Sequence, residues 1–103
     1  MTTATFDTLL QDESPLVIDF WAPWCAPCRI MAPAFEKAAA ELEGRVRFAK
    51  VNTDEAQELA VRHGIRSIPT LLLIRGGREV SRVSGAMDAR SLVRWVDQHL
   101  GAE

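Results

Sequence analysis

Two cysteines, Cys25 and Cys28, are the only cysteines in the 103-residue chain, and two residues separate them. A pair this close cannot staple distant segments together, so its purpose is local. Half of a zinc site would need two further ligands, and His63 and His99 each stand alone in the sequence. A structural disulfide closing so small a ring constrains an unfolded chain little. Inert core cysteines would not explain Pro27 between them or Trp21 and Trp24 before them. Thiol–disulfide redox chemistry is the reading that accounts for the whole segment Phe20-Trp21-Ala22-Pro23-Trp24-Cys25-Ala26-Pro27-Cys28-Arg29, and no metal ligand set is expected.

That chemistry needs a thiol that ionises easily. The segment lies where a short apolar run, Leu16 to Trp21, gives way to helical spacing. At a helix N-terminus the unpaired backbone donors and the positive end of the dipole stabilise an anion, which favours the thiolate of Cys25. Cys28, one turn in, is within reach as the second half of a disulfide. Pro27 falls in the first turn, where its missing donor costs little, and it stiffens the spacer. The preceding run is apolar on both faces apart from Asp19, as in a central strand covered by helices on both sides. Asp19 is then a buried acid.

The remaining elements follow from spacing and punctuation. Phe6, Leu9 and Leu10 predict a helix over Thr5 to Gln11, broken by Ser14-Pro15. Ile30, Met31, Phe35, Ala38, Ala39 and Leu42 give one apolar face to a helix from Cys25 to Leu42, with a kink expected at Pro33 and a stop at Gly44. Arg45 to Val51 reads as a strand, and Thr53 or Asp54 is expected to cap a helix over Glu55 to His63 that ends at Gly64. Thr70 to Arg75, Gly76-Gly77 and Glu79 to Ser84 carry the signature of a hairpin with a two-residue turn. A last helix runs from Asp88, a cap, through Leu92, Val93, Trp95, Val96 and Leu100. The early crossovers imply parallel strands and the late hairpin an antiparallel pair, so the fold class is α/β, a central mixed β-sheet flanked by helices.

Composition narrows the partners. With 48% hydrophobic and 25% charged residues, residues 1–103 are expected to form a single domain. A formal charge of −2 gives no basic footprint, so no nucleic-acid partner is expected. The first residues are not basic, and the longest apolar runs are four residues, such as Leu71 to Ile74. Neither a signal peptide nor a membrane span is visible, which makes a cytoplasmic location the expectation. Most of the arginines read as solvated surface, Met31 and Met87 as core filler, and His63 and His99 as helix-end residues that favour the dipole.

Trp24-Cys25-Ala26-Pro27-Cys28-Arg29 resembles the thioredoxin active-site motif, usually Trp-Cys-Gly-Pro-Cys followed by Lys or Arg. Val17 to Ala22, Ala32-Pro33, Ala49 to Asp54, Ile65 to Thr70 and Gly85-Ala86 resemble thioredoxin segments in matching order. The likeness spans about Phe6 to Leu100 and is far more specific than a lone pair of cysteines. Phe20 to Arg29 and Arg62 to Thr70 look most like the bacterial thioredoxin-2 type, which often has an N-terminal zinc-binding part; no such part is present in this sequence.

What the resemblance implies is a protein dithiol-disulfide oxidoreductase. Cys25 would be the attacking thiolate and Cys28 the buried resolving thiol. Asp19, its pKa raised by desolvation, would take the proton of Cys28, and Lys50 would tune Asp19. A purely structural Asp19, paired with Lys50 or a backbone donor, is the competing reading. The family's Ile-Pro-Thr loop implies a cis peptide before Pro69, with the backbone of Ile68 offered to an incoming peptide. Trp24, Ser67, Ile68, Pro69, Gly85 and Ala86 map onto the substrate groove, with Gly85 allowing close backbone approach. Trp21, Ala26, Pro27, Arg29 and Pro33 support the site, Trp21 by packing behind it and Arg29 by assisting the thiolate electrostatically. The resemblance also implies a flavoprotein thioredoxin reductase drawing on NADPH, disulfide-containing clients, no bound organic cofactor and a monomer.

Two departures stand out. Ala26 replaces the usual glycine of the spacer, which helps set redox poise; a reductant is still expected. Only Met1 to Ala4 precede the first helix, so the family's first edge strand is expected to be short or missing, exposing backbone groups at the sheet edge. A binding module using the same fold as a scaffold is the alternative function, and an oxidase or isomerase the nearest enzymatic one.

Overall fold

The apolar run after Pro15 is a central strand because neighbours on both sides satisfy its backbone and helices cover both its faces. The computed structural model of the chain describes residues 3–100. Leu16–Trp21 (β1) pairs in parallel with Arg47–Asn52 (β2), which sets Asp19 opposite Lys50. On its other side β1 pairs antiparallel with Thr70–Arg75 (β3), which sets Asp19 opposite Leu71. Arg78–Ser84 (β4) completes a four-stranded mixed sheet in the order β2-β1-β3-β4. The first described element is the helix Thr3–Gln11 (α1), which starts at the first described residue, so the expectation of a short or missing strand before it lies outside the described residues. The sheet of the described residues has β2 and β4 as its outer strands.

Side-chain alternation along the strands divides the core into two layers. On one face Val17, Leu71 and Leu73 pack against Met31, Phe35 and Ala38 of the helix Ala26–Glu41 (α2), its C-cap Leu42, and Leu92, Trp95 and Val96 of the helix Ala89–Leu100 (α4). On the other, Leu16, Ile18, Phe20, Leu72 and Ile74 pack against Phe6 of α1 and Leu59 of the helix Gln57–Arg62 (α3). Asp19 shares its face with Val17, and Lys50 shares its face with Phe48, which packs on the same layer. Both therefore point toward the α2 side of the sheet. Met31 is buried and Met87 packs on the edge of that layer, as core filler.

Turn chemistry fixes the boundaries. Gly76 and Gly77 have φ of +60° and +75° and connect Arg75 directly to Arg78, the two-residue hairpin expected of this pair. A bulge follows at Leu73/Ile74, where β4 carries the extra residue Val80. Asp88 caps α4 by accepting from the Ser91 amide at 2.8 Å. α2 is one helix through Pro33.

The cap expected of α3 is corrected. Its N-cap is Ala56, with no side-chain capping bond, not Thr53 or Asp54. Asn52 accounts for this: its side chain accepts from the Asp54 amide at 2.9 Å, and its carbonyl accepts from the amides of Glu55 and Ala56. That local turn occupies the backbone which a cap at Thr53 or Asp54 would have used.

Candidate active site

Helix α2 begins where β1 ends, and Cys25 is its N-cap, in extended conformation. Cys25 Sγ accepts from the Cys28 amide at 3.2 Å, as a capping side chain accepts from the third residue of a helix. Cys25 and Cys28 are disulfide-bonded, with Cα atoms 5.2 Å apart. Both are nearly closed to solvent, and they cluster with Ala22, Trp21 and Ile68. Ala26 and Pro27 are exposed in the first turn. When the disulfide is reduced, the Cys28 N–H and the helix N-terminus are poised to hold a thiolate on Cys25.

Several bonds tie the loop that carries this pair. The Cys25 amide donates to the Ala22 carbonyl at 3.2 Å. The Arg29 guanidinium donates from Nη1 to the Pro23 carbonyl at 2.9 Å, so Arg29 holds the loop in addition to adding positive charge. Trp24, 66% exposed, donates its indole N–H to both carboxylate oxygens of Asp54, at 3.1 and 3.0 Å. In the sequence Asp54 is a capping candidate at the end of a thioredoxin-like segment, with no role at the site assigned to it. Thirty residues separate it from Trp24, and no local pattern links the two.

Opposite the disulfide stands the Ile68-Pro69 loop, whose peptide bond is cis. The Ile68 carbonyl oxygen lies 3.8 Å from Cys25 Sγ. Pro69 is buried, Ser67 exposed and Ile68 half-buried. The Pro69 carbonyl accepts from the Gly85 amide at 2.9 Å, which brings the end of β4 and exposed Ala86 alongside the loop. Gly85 has φ of +98°, a conformation only glycine adopts without strain.

On the α2 side of the sheet, Asp19 is 1% exposed, and neither carboxylate oxygen has a hydrogen-bond partner. Burial pushes its pKa up to about 6, against a smaller opposing effect of Lys50. Lys50 Nζ lies 4.8 Å from the centre of the Trp21 ring and 5.8 Å from that of Phe35. Its charge is thus held over aromatic faces and acts on Asp19 through space. Trp21 is half-buried, and its carbonyl accepts from the amide and hydroxyl of Thr53.

The geometry is a disulfide at the N-terminus of α2 with a backbone wall beside it, and a buried ionisable acid on β1, the strand that leads into that helix. A family model described as thioredoxin matches residues 1–98. The chain belongs to the thioredoxin family. Thioredoxin 1 of Nostoc sp. (strain PCC 7120) is 44% identical over 101 residues, covering 97% of this chain and 94% of that one. Thioredoxin 1 of Synechococcus elongatus has the same identity and coverage. The chloroplastic M-type thioredoxin of Chlamydomonas reinhardtii is 39% identical over 94 residues, 91% of this chain and 67% of that one.

Membership and the CxxC pair together make the chain a protein dithiol-disulfide oxidoreductase, which reduces substrate disulfides through Cys25 and Cys28 and a mixed-disulfide intermediate. Members of the family work with thioredoxin reductase and disulfide clients, normally without a bound cofactor. Among the described residues no cluster of three or more His, Cys, Asp or Glu side chains could hold a metal ion, and no helix is long and apolar enough to cross a membrane.

His63 corrects a sequence expectation. It is half-buried, its ring lies 5.0 Å from that of Phe6 and 6.0 Å from that of Phe20, and its Nε2 has no partner. Desolvation lowers its pKa, with the Arg62 charge adding to the effect, so burial works against the cation that a helix C-terminus would favour. His99 does sit as expected, with Nδ1 2.9 Å from the Trp95 carbonyl.

Proposed function

We propose that Cys25 is the nucleophile and Cys28 the resolving thiol of a cytoplasmic, monomeric reductant formed by one domain over residues 1–103. The observation that carries this reading is the Cys28 amide donating to Cys25 Sγ at the start of α2, which favours charge on Cys25 in preference to Cys28. In the reduced protein the Cys25 thiolate attacks one sulfur of a client disulfide. A Cys25–client disulfide forms, and the other client sulfur leaves as a thiolate. Asp19 then accepts the Cys28 proton, and Cys28 attacks Cys25 Sγ. The second client sulfur departs and takes up a proton, leaving the client reduced and Cys25–Cys28 oxidised.

Lys50 tunes Asp19, and Trp21 packs behind the acid and the loop. Trp24, Ser67, Ile68, Pro69, Gly85 and Ala86 form the client groove, in which the Ile68 backbone pairs with an extended client segment. Ala26, Pro27, Arg29 and Pro33 shape the helix that carries the dithiol. A flavoprotein thioredoxin reductase drawing electrons from NADPH returns the disulfide to the dithiol, and the protein itself holds no organic cofactor. A reducing compartment such as the cytosol suits that cycle.

Reduction of a protein disulfide with dithiothreitol as electron donor tests the reading. The wild type accelerates the reaction, Cys25→Ser abolishes the acceleration, and Cys28→Ser accumulates a Cys25–client mixed disulfide visible by mass spectrometry. A wild type no faster than dithiothreitol alone, or a mixed disulfide that forms on Cys28 in the Cys25→Ser variant at the wild-type rate, overturns it.

A further inference from the structure

The two backbone walls of the groove come from different parts of the chain, the Ile68-Pro69 loop and the end of β4. The Gly85 amide joins them by donating to the Pro69 carbonyl. A second connection is made of side chains. Thr70 and Ser84 are directly opposite in the β3–β4 register, and their hydroxyl oxygens are 2.9 Å apart. Thr70 Oγ1 also lies 2.6 Å from the Ser67 carbonyl. A carbonyl can only accept, and a hydroxyl has one proton, so Thr70 donates to Ser67 and Ser84 donates to Thr70. The result is a directional chain, Ser84 to Thr70 to the Ser67 carbonyl, crossing from β4 to the residue before Ile68.

Thr70 is 2% exposed, and it and Asp19 are the only buried polar or charged side chains among the described residues. Unlike Asp19, its hydroxyl is fully engaged. The middle of the chain is thus buried while its two ends, Ser67 and Ser84, are exposed, so the Thr70 hydroxyl is the member that water reaches least and that holds the geometry most firmly. Without Ser84, Thr70 keeps its bond to Ser67 but β4 loses its side-chain link to the loop. Without Thr70, the Ser67 carbonyl loses its donor and both segments are freed.

We propose that Ser84 and Thr70 are positioning residues, whose hydroxyl chain sets the spacing between the Ile68 and Gly85 walls and so the affinity for peptide clients. This rests on the reading of those two segments as the client groove. An extended peptide needs both walls held in register, whereas a small disulfide needs only to reach Cys25 Sγ. The chain therefore acts on client KM more than on the chemical step.

The experiment compares kcat/KM for a protein disulfide with that for a small aromatic disulfide, in the wild type, Ser84→Ala, Ser84→Thr, Thr70→Val and Thr70→Ser. Ala86→Glu, on the exposed wall, perturbs the groove independently. In Ser84→Ala the protein-to-small-disulfide ratio falls about fivefold, mainly through KM, and Ser84→Thr restores it. Thr70→Val lowers the ratio at least as far, and Thr70→Ser retains it. Because Ser84 lies at an exposed strand end, Ser84→Ala is the decisive variant should Thr70→Val fold poorly. If Ala86→Glu lowers the ratio but Ser84→Ala leaves it within twofold of wild type, the positioning role is overturned and the groove stands. If neither variant lowers it, the groove reading itself is wrong and the proposal falls with it.

Discussion

Asp19 has an aspartate's charge and a leucine's surroundings. Both its oxygens are buried and unpartnered, and the nearest compensating charge, Lys50, sits over Trp21 and Phe35. With a pKa of about 6 the group is mostly ionised at neutral pH and ready to accept a proton. Asp19→Asn keeps the shape and removes the base. It is expected to slow resolution of the mixed disulfide at pH 7 by about 100-fold, the low end of general-base effects. In the wild type that step should slow as pH falls through about 6, and the variant should lose this limb. Stopped-flow measurement of client release from pH 5 to 8 checks both; an Asp19→Asn profile that superimposes on the wild type removes Asp19 from the proton path. A single acid in an otherwise apolar run was enough to mark Asp19 in the sequence, because that reading depends only on neighbours along the strand. Asp54 and Ser84 carry no such mark. Their significance comes from partners 30 and 14 residues away.

At the level of elements, local chemistry made most boundaries legible. The Gly76-Gly77 turn, the Asp88 cap and the Cys25 helix start each depend on residues within a turn of one another. The start of α3 departs from its local signal because Asn52 competes for the same backbone. A longer-range device, also without a local signal, closes α1 onto β2. Arg47 donates to the carbonyls of Leu9, Asp12 and Ser14 at 2.9, 3.0 and 2.7 Å. These lie in the last turn of α1 and the segment after it, where carbonyls lack helical donors. Three charge-assisted bonds to one half-buried side chain predict that Arg47→Ala destabilises the fold by about 2 kcal/mol. Arg47→Lys, with one donor centre in place of a planar fork, should recover less than half of that. Urea denaturation measures both, and a loss under about 0.5 kcal/mol for the alanine variant would show that water replaces these bonds.

For the whole molecule, buried Asp19 and half-buried His63, on opposite faces of the sheet, pull its pH dependence in opposite directions. Asp19 has a folded pKa above its ordinary 3.8, so its burial costs about 3 kcal/mol above pH 6, and that stability returns as pH falls from 6 toward 4. His63 has a folded pKa below its ordinary 6.5, so its contribution is present above pH 6.5 and is lost as pH falls below it. Thermal unfolding of the oxidised protein should therefore show Asp19→Asn more stable than wild type at pH 7.5, with the difference gone by pH 4. His63→Gln should remove a loss of stability that sets in as pH falls below 6.5. A wild-type-like pH slope in either variant would reassign that part of the curve to other groups.

The sheet order has a further consequence, for a chain emerging from the ribosome. β1 is central, but its antiparallel partner β3 comes about fifty residues later in the chain. The Ile68 carbonyl beside Cys25 follows it by 43 residues. At about 5–20 residues per second, the nascent chain presents its cysteine pair for roughly 2–9 seconds before the wall that faces it is made. During that interval the two thiols lack the enclosure of the finished site and meet whatever oxidant, thiol or metal the surroundings hold. Synthesis speed between Cys28 and Pro69 thus becomes a determinant of how much protein is born with an unmodified dithiol.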